Sequence, residues 1–142
     1  MSTRIFPTAQ DAEAAFYQAL ERADLELMMA VWSEDEEILC VHPGGARLTG
    51  QDQIRESWRQ IFAGGARARV HLSQQVAIDG PMVAVHGVHE NFSVPGERRT
   101  LQTVLATNVY LRTAAGWRMV VHHGSSAPGQ AEAPRETPKI LH

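Results

Sequence analysis

Histidine is the residue type in this chain best suited to chemistry, because imidazole changes its charge near neutral pH without help from its surroundings. Seven histidines occur among the 142 residues. In the run from Trp117 to His123, strand alternation places His123 on the same face as Trp117 and Met119. That face is apolar and should point inward. We therefore predict that His123 exchanges a proton with a ligand, binds a ligand carbonyl, or hydrogen-bonds a buried backbone group.

His42 is the second candidate for a catalytic role. It follows the apolar run Ile38–Val41 and precedes Pro43, which cannot donate a hydrogen bond to a sheet. This placement at a strand end predicts a residue at the mouth of a pocket. A histidine that hydrogen-bonds a loop carbonyl is the alternative.

Two further runs carry polar side chains that could meet a ligand. His86 and Glu90 share one face of the strand predicted over Met82–Phe92, and either face could be the inner one. They lie about 13 Å apart along a strand, so they could flank a ligand but not share a proton directly. Asn108 and Tyr110 share a face of the next strand, where an amide and a phenol could polarise a carbonyl. Tyr110 could equally pack in the sheet or in an interface.

Three helices and a sheet must position these side chains. Apolar residues at helical spacing predict a helix over Thr8–Ala23, with Thr8 as its cap, and a second helix that starts at Asp24. The second helix should end in the acidic run Glu34–Glu37. A third helix follows Gly50 and should stop at the glycine pair 64–65.

Trp32 and Trp58 fall on the apolar stripes of the second and third helices. Such residues more often pack in a core than bind a ligand, but both helices should line a cavity. We therefore keep both tryptophans as candidate ligand contacts.

The chain from Arg67 to Gly124 is predicted to form four long strands, separated by turns at 79–81, 93–97 and 114–116. Short connections imply antiparallel order, and strands of this length should twist strongly and wrap around the helices. The predicted fold is therefore α+β, with three N-terminal helices closing one side of a curved antiparallel sheet and a pocket between the two layers.

Composition excludes several classes of protein. A chain of 142 residues with 44% hydrophobic and 20% charged residues suits one soluble domain, which we place at 1–126, before a Pro-rich, extended tail at 127–142. No run approaches the roughly 20 apolar residues of a membrane span, and no signal peptide is evident, so we expect a cytoplasmic protein. The formal charge of -3 is spread along the chain, which argues against nucleic-acid or membrane partners.

No metal or other cofactor is predicted. Cys40 is the single cysteine, lies in an apolar run and should be a buried, inert thiol. His122 and His123 are adjacent, but neighbouring residues on a strand point to opposite faces and cannot jointly hold one ion. A zinc site would need His42, His86 or Glu90 to converge with His123.

The order of helix, helix, short strand, helix and four long strands resembles that of the NTF2-like superfamily, in particular its SnoaL-like and ketosteroid-isomerase-like bacterial members. The resemblance spans Thr8 to Ser126. Its most specific pieces are the Trp32 segment leading to Ile38–Pro43, Leu48-x-Gly50, Ile54-x-x-x-Trp58, Gly116-Trp117-Arg118 and His123-x-Ser125. It implies a cystatin-like cone that holds a small ligand between sheet and helices and forms a homodimer through the outer face of the sheet.

The same resemblance leaves the activity open. Ketosteroid isomerases use an aspartate base on a strand, whereas the five aspartates here lie at predicted caps, helix surfaces or turns. A base would have to be His123 or His42, with Asn108, Tyr110 or Arg47 as oxyanion partner. One hypothesis is an enzyme that performs proton transfer, hydration or cyclisation on a small apolar carbonyl compound. The other is a non-catalytic ligand-binding or dimerisation domain.

Overall fold

The computed structural model describes residues 4–65 and 67–128. Three helices and six strands occur within them, and this confirms the α+β prediction. The helices are α1 (Ala9–Arg22), α2 (Leu25–Val31) and α3 (Gly50–Ala63). The strands are β1 (Leu39–Val41), β2 (Arg47–Thr49), β3 (Arg69–Asp79), β4 (Val83–Ser93), β5 (Gln102–Thr113) and β6 (Gly116–Ser126).

Side chains cap the first two helices as the sequence predicts. The Thr8 hydroxyl accepts a hydrogen bond from the Asp11 amide, and the Asp24 carboxylate accepts one from the Leu27 amide. Helix α2 ends at Val31 and does not reach the acidic run. The residue after the helix, Trp32, has an extended backbone and forms a β-bridge with Met119 of β6.

The sheet has the strand order β2-β1-β6-β5-β4-β3. The four long strands form the predicted antiparallel meander, and β1 adds to β6 as the single parallel pair among the described strands. Strand β2, which the sequence did not predict, pairs with β1 over three residues. A strand so short shows too little alternation to be recognised from sequence.

Two bulges interrupt the long strands. The pairing of β3 with β4 shifts between Ser73 and Val76, where Gln74 has a φ of 50°. In β6, Met119 pairs with Tyr110 and Val121 pairs with Val109, so Val120 is an extra residue without a partner position on β5. Each extra residue bends its strand and reverses which side chains face inward beyond it.

The core lies between the helices and the inner face of the sheet, where the largest side chains are Trp32, Trp58, Tyr110, Phe16 and Phe92, all fully buried. Each helix within residues 4–65 and 67–128 is too short or too polar to span a bilayer. Residues 129–142 of the predicted tail lie outside the described residues.

Candidate functional site

The prediction that His123 faces inward is wrong. His123 is exposed, while His122 is fully buried. The cause is the extra residue Val120 in β6, because it reverses the alternation on which the prediction was based. His122, which had been assigned to the opposite face, is therefore the histidine of the last strand that reaches the interior.

A buried chain of hydrogen bonds starts at His122, and we call it the relay. His122 Nδ1 lies 2.6 Å from Asn108 Oδ1, and Asn108 Nδ2 donates to the Tyr17 hydroxyl at 2.9 Å. The Tyr17 hydroxyl donates to Glu90 Oε2 at 2.5 Å. Each of the three strands β4, β5 and β6 supplies one member, and α1 supplies Tyr17.

The hydrogen bonds of the relay determine which nitrogen of His122 carries the hydrogen. Because the Asn108 amide nitrogen donates to Tyr17, its oxygen faces His122 and must accept, so Nδ1 of His122 carries a hydrogen. The neutral ring then has its lone pair on Nε2. If that nitrogen takes up a proton, the oriented dipoles stabilise the new positive charge, with the Glu90 carboxylate at the far end.

Aromatic rings surround His122. The Phe16 ring centroid lies 4.9 Å from that of His122, and the Trp58 centroid lies 6.2 Å away. His42 stands edge-on to Trp58 at 4.8 Å, and its centroid is 6.4 Å from that of His122. Thus His42, a partly exposed residue at the end of β1, lies beside the relay. Its Nε2 is 3.1 Å from the Ser57 hydroxyl of α3.

A second polar cluster, which we call the clasp, lies nearer the surface. His86 Nδ1 is 3.0 Å from a Glu13 oxygen, and its Nε2 is 2.7 Å from an Asp79 oxygen, which ties α1 to the β3–β4 hairpin. Burial alone would lower the pKa of His86, but Asp79 and Glu13 together outweigh it and hold that pKa above its usual value. Burial raises the pKa of Glu13 despite the opposing effect of His86.

His86 and Glu90 are both buried, so they lie on the inner face of β4. The sequence alone had not decided which face of this strand points inward. The two residues belong to different networks, as their separation along the strand requires. Tyr110 packs its ring 5.2 Å from that of His86. Its buried hydroxyl has no hydrogen-bond partner in the part of the chain that the structure describes.

The remaining candidates lie away from the relay or pack within the core. Trp32 is fully buried beside β6, and the exposed Arg47 lines a groove of about 1010 Å³ next to the acidic run 34–37. The residues that line this groove include no member of the relay or the clasp, so Arg47 does not join the buried polar groups. Cys40 is buried as predicted, and burial followed by the charge of Glu90 raises the pKa of its thiol to about 12.

Three residues of these networks were missed by reasoning from the sequence: Asp79, which was read only as a turn residue, and Glu13 and Tyr17 of α1. The latter two lie one turn apart on α1 and border its apolar stripe, which includes the fully buried Phe16 and Ala19. Polar residues four positions apart at the edge of such a stripe are the signal that could have indicated them. No three His, Cys, Asp or Glu side chains of residues 4–65 and 67–128 are arranged to hold one metal ion.

Comparison with known proteins relates the chain to others of this shape. The sequence model of the SnoaL-like domain matches residues 10–129. No curated protein matches the sequence significantly.

Several solved structures are similar. A protein from Thiobacillus denitrificans, provisionally named a calcium/calmodulin-dependent protein kinase type II association domain, is 39% identical, with a TM-score of 0.82 over 87% of this chain and 98% of that one. A protein from Streptomyces avermitilis, provisionally named a dehydratase of the NTF2-like family, is 29% identical, with a TM-score of 0.76 over 84% and 94%. A protein from Parabacteroides distasonis, provisionally named a ketosteroid isomerase, shares the fold at 15% identity, with a TM-score of 0.68 over 84% and 88%.

Proposed function

Because the chain belongs to the SnoaL-like domain family of NTF2-like proteins, we propose that it binds a small, mostly apolar carbonyl compound between helices and sheet. The chemistry is proton transfer, hydration or cyclisation, with His122 as the base. The relay carries the proposal: Asn108, Tyr17 and Glu90 set the tautomer of the buried His122 imidazole, so that Nε2 is the basic nitrogen to which a substrate proton would go.

Tyr110 is the proposed partner of the carbonyl oxygen. Its hydroxyl is buried and unpaired among the described residues, and a ligand oxygen could accept its hydrogen. On β5 it lies two residues from Asn108, so the two side chains point the same way and are about 7 Å apart along the strand. A substrate of one or two rings could reach both Tyr110 and His122.

The proposed step is removal of a proton from the carbon next to the carbonyl. His122 Nε2 takes the proton, the electron pair of the broken C–H bond forms the enolate, and the Tyr110 hydroxyl donates to the enolate oxygen. Return of the proton from His122 to a different carbon gives isomerisation. Transfer of that proton to a hydroxyl on the next carbon, with cleavage of the C–O bond as the enolate collapses, releases water and gives dehydration. The name of the similar Streptomyces protein supports the second outcome.

Deuterium exchange tests the proposal. The probe is β-tetralone in D₂O, and NMR follows deuterium uptake next to the carbonyl above the protein-free rate. His122→Gln should lower the protein-dependent rate at least about 100-fold, the usual contribution of a general base. His123→Gln is the matched control, since this neighbouring side chain is exposed on the other face, and it should change the rate less than about twofold. Equal losses in the two variants would exclude His122 as the base.

Self-association is a second candidate function. The Thiobacillus protein that is 39% identical has the name of an association domain. The outer face of the sheet also carries unusually exposed aliphatic side chains: Val76 is 61%, Ile78 65% and Val83 44% exposed. A homodimer through this face would cover them.

A further inference from the structure

Trp58 of helix α3 covers His122, the end of the relay where the proposed reaction takes place. Trp58 is fully buried and lies within ring-contact distance of Phe16, His42 and His122. It stands edge-on to Phe16 and to His42, with interplanar angles of 83° and 88°. The indole therefore occupies a slot among aromatic rings, and the imidazoles of His42 and His122 form its polar side.

The same helix is weakly anchored. Only Ile54 and Trp58 are buried among its 14 residues, whereas α1, of equal length, buries seven. The Thr49 side chain makes no capping hydrogen bond to the start of α3. Its polar ties to the rest of the domain include Gln51 to the Ser33 carbonyl at 2.5 Å and Ser57 to His42 at 3.1 Å. Ile61 and Phe62 pack against the core only half-buried, so fewer buried apolar side chains oppose a displacement of α3 than one of α1.

Glycines with positive φ lie at both ends of α3. Gly50 has a φ of 81° and Gly65 a φ of 76°, and no atom lies within 4 Å of the place where a Cβ would stand at either residue. Glycine adopts positive φ without the steric cost that other residues meet, so both ends of α3 have backbone freedom that most helix ends lack. A groove of about 400 Å³ also runs along α3 and reaches Ser57, so solvent already approaches the contact between α3 and His42.

We propose that α3 is the lid of the site, and that Trp58 holds the place of the ligand when no ligand is bound. The ligand that replaces it is a planar aromatic compound about the size of an indole, because it must fit between Phe16, His42 and His122. This inference rests on the proposed function in one respect, namely that the site beside His122 is the reactive one. It explains how a domain whose interior is occupied by large buried side chains can take up a substrate.

Hydrogen exchange of the unmodified protein is the first test. The amides of α3 should exchange at least about tenfold faster than those of α1, because opening of a lid is a local event of low free energy. Equal protection of the two helices would overturn the proposal.

Binding of indole is the second test. Trp58→Ala should bind indole at least about tenfold more tightly than the unmodified protein, because the slot is then empty and no lid has to open. NMR should place the affected signals at His42 and His122. Trp117→Ala is the matched control, since it also removes an indole but at the far end of β6, and it should gain no affinity.

A folded Trp58→Ala protein that does not bind indole, or binds it elsewhere, would overturn the proposal. If Trp58→Ala does not fold, Trp58→Phe leaves a smaller space and should still gain affinity for benzene, which the unmodified protein should bind more weakly. These results are separate from deuterium exchange of β-tetralone. If indole binds beside His122 but the protein does not catalyse deuterium exchange, the proposed reaction is rejected and the lid is kept. If the protein catalyses the exchange but the amides of α3 are as protected as those of α1, the lid is rejected and the reaction is kept.

Discussion

Tyr17 holds two buried polar side chains in place at once. Its hydroxyl accepts from Asn108 and donates to Glu90, and Glu90 and Asn108 are both fully buried. Burial, followed by the charge of Glu90, raises the pKa of Tyr17 far above its usual value, so the hydroxyl keeps its hydrogen. The relay therefore depends on a single oxygen atom that helix α1 contributes.

Removal of that oxygen should be costly, and the structure offers a matched comparison. Tyr17→Phe should lower the free energy of unfolding by about 1–3 kcal/mol, because the buried Asn108 amide and Glu90 carboxylate each lose the hydrogen bond to the hydroxyl. Tyr110→Phe removes a hydroxyl that has no described partner, so it should change stability by less than about 0.5 kcal/mol while weakening β-tetralone binding. Urea unfolding measures both changes, and equal losses would contradict this view of the relay.

His122 and His123 show where reasoning from the sequence reached its limit. The residue types were recognised, since His86, Glu90, Asn108 and Tyr110 were all singled out and all lie on the inner face of the sheet. The wrong histidine was chosen in the last strand because Val120 bulges, and a bulge leaves no signature in an apolar run such as Met119–Val121. Its position depends on pairing with β5, which is a tertiary property.

At the scale of elements, helix α1 and the inner face of the sheet share one polar seam. Glu13 and Tyr17 are one turn apart on the helix, and their partners His86 and Glu90 are four residues apart on β4. Four residues span about 6 Å along a helix but about 13 Å along a strand, so the side chains themselves bridge the difference and attach α1 to β4 at two separate points. The clasp and the relay therefore fix the orientation of α1 on the sheet.

The clasp should make stability depend on pH. The pKa of His86 is raised in the folded protein, so its contribution is complete below the ordinary histidine pKa of about 6.5 and is lost as pH rises through the higher folded value. The pKa of Asp79 is lowered by its hydrogen bond from His86, so its contribution is lost only in acid, as pH falls through that lower value.

The free energy of unfolding should therefore fall as pH rises above about 6.5, the ordinary histidine pKa. His86→Gln should remove most of this slope. His71→Gln is the control, because that histidine is exposed on β3 and lies outside the clasp, so the slope should persist. Denaturant midpoints at a series of pH values give the answer, and an unchanged slope in His86→Gln would reject the clasp as its origin.

The order of the elements was predictable because the helices have one-sided apolar stripes and the long strands are separated by Gly- and Pro-containing turns. Strand β2 and the parallel pairing of β1 with β6 were not. Both depend on three-residue segments whose place is decided by the neighbouring strand rather than by their own pattern.

For the whole molecule, the two faces of the sheet point to the two candidate functions. The inner face carries the relay, the clasp and the ring slot under α3. The outer face carries Val76, Ile78 and Val83, together with Val85, Val109 and Val121 aligned across four strands by the register. Val76, Ile78 and Val83 are the exposed members of this face, and an exposed apolar patch of this kind is often covered by another protein surface.

That outer face yields the last prediction, which concerns the assembled state. Ile78→Lys should convert a dimer to a monomer in sedimentation at micromolar concentration, because a lysine buried in an aliphatic interface must be desolvated without a partner. Ile5→Lys is the matched control: Ile5 is equally exposed, at 67% against 65% for Ile78, but lies outside the sheet. The control should leave the dimer intact. Because the relay faces the other way, the Ile78→Lys monomer should keep its deuterium-exchange activity on β-tetralone. A monomer at all concentrations before substitution would reject the association function and leave the reaction as the reason for the fold.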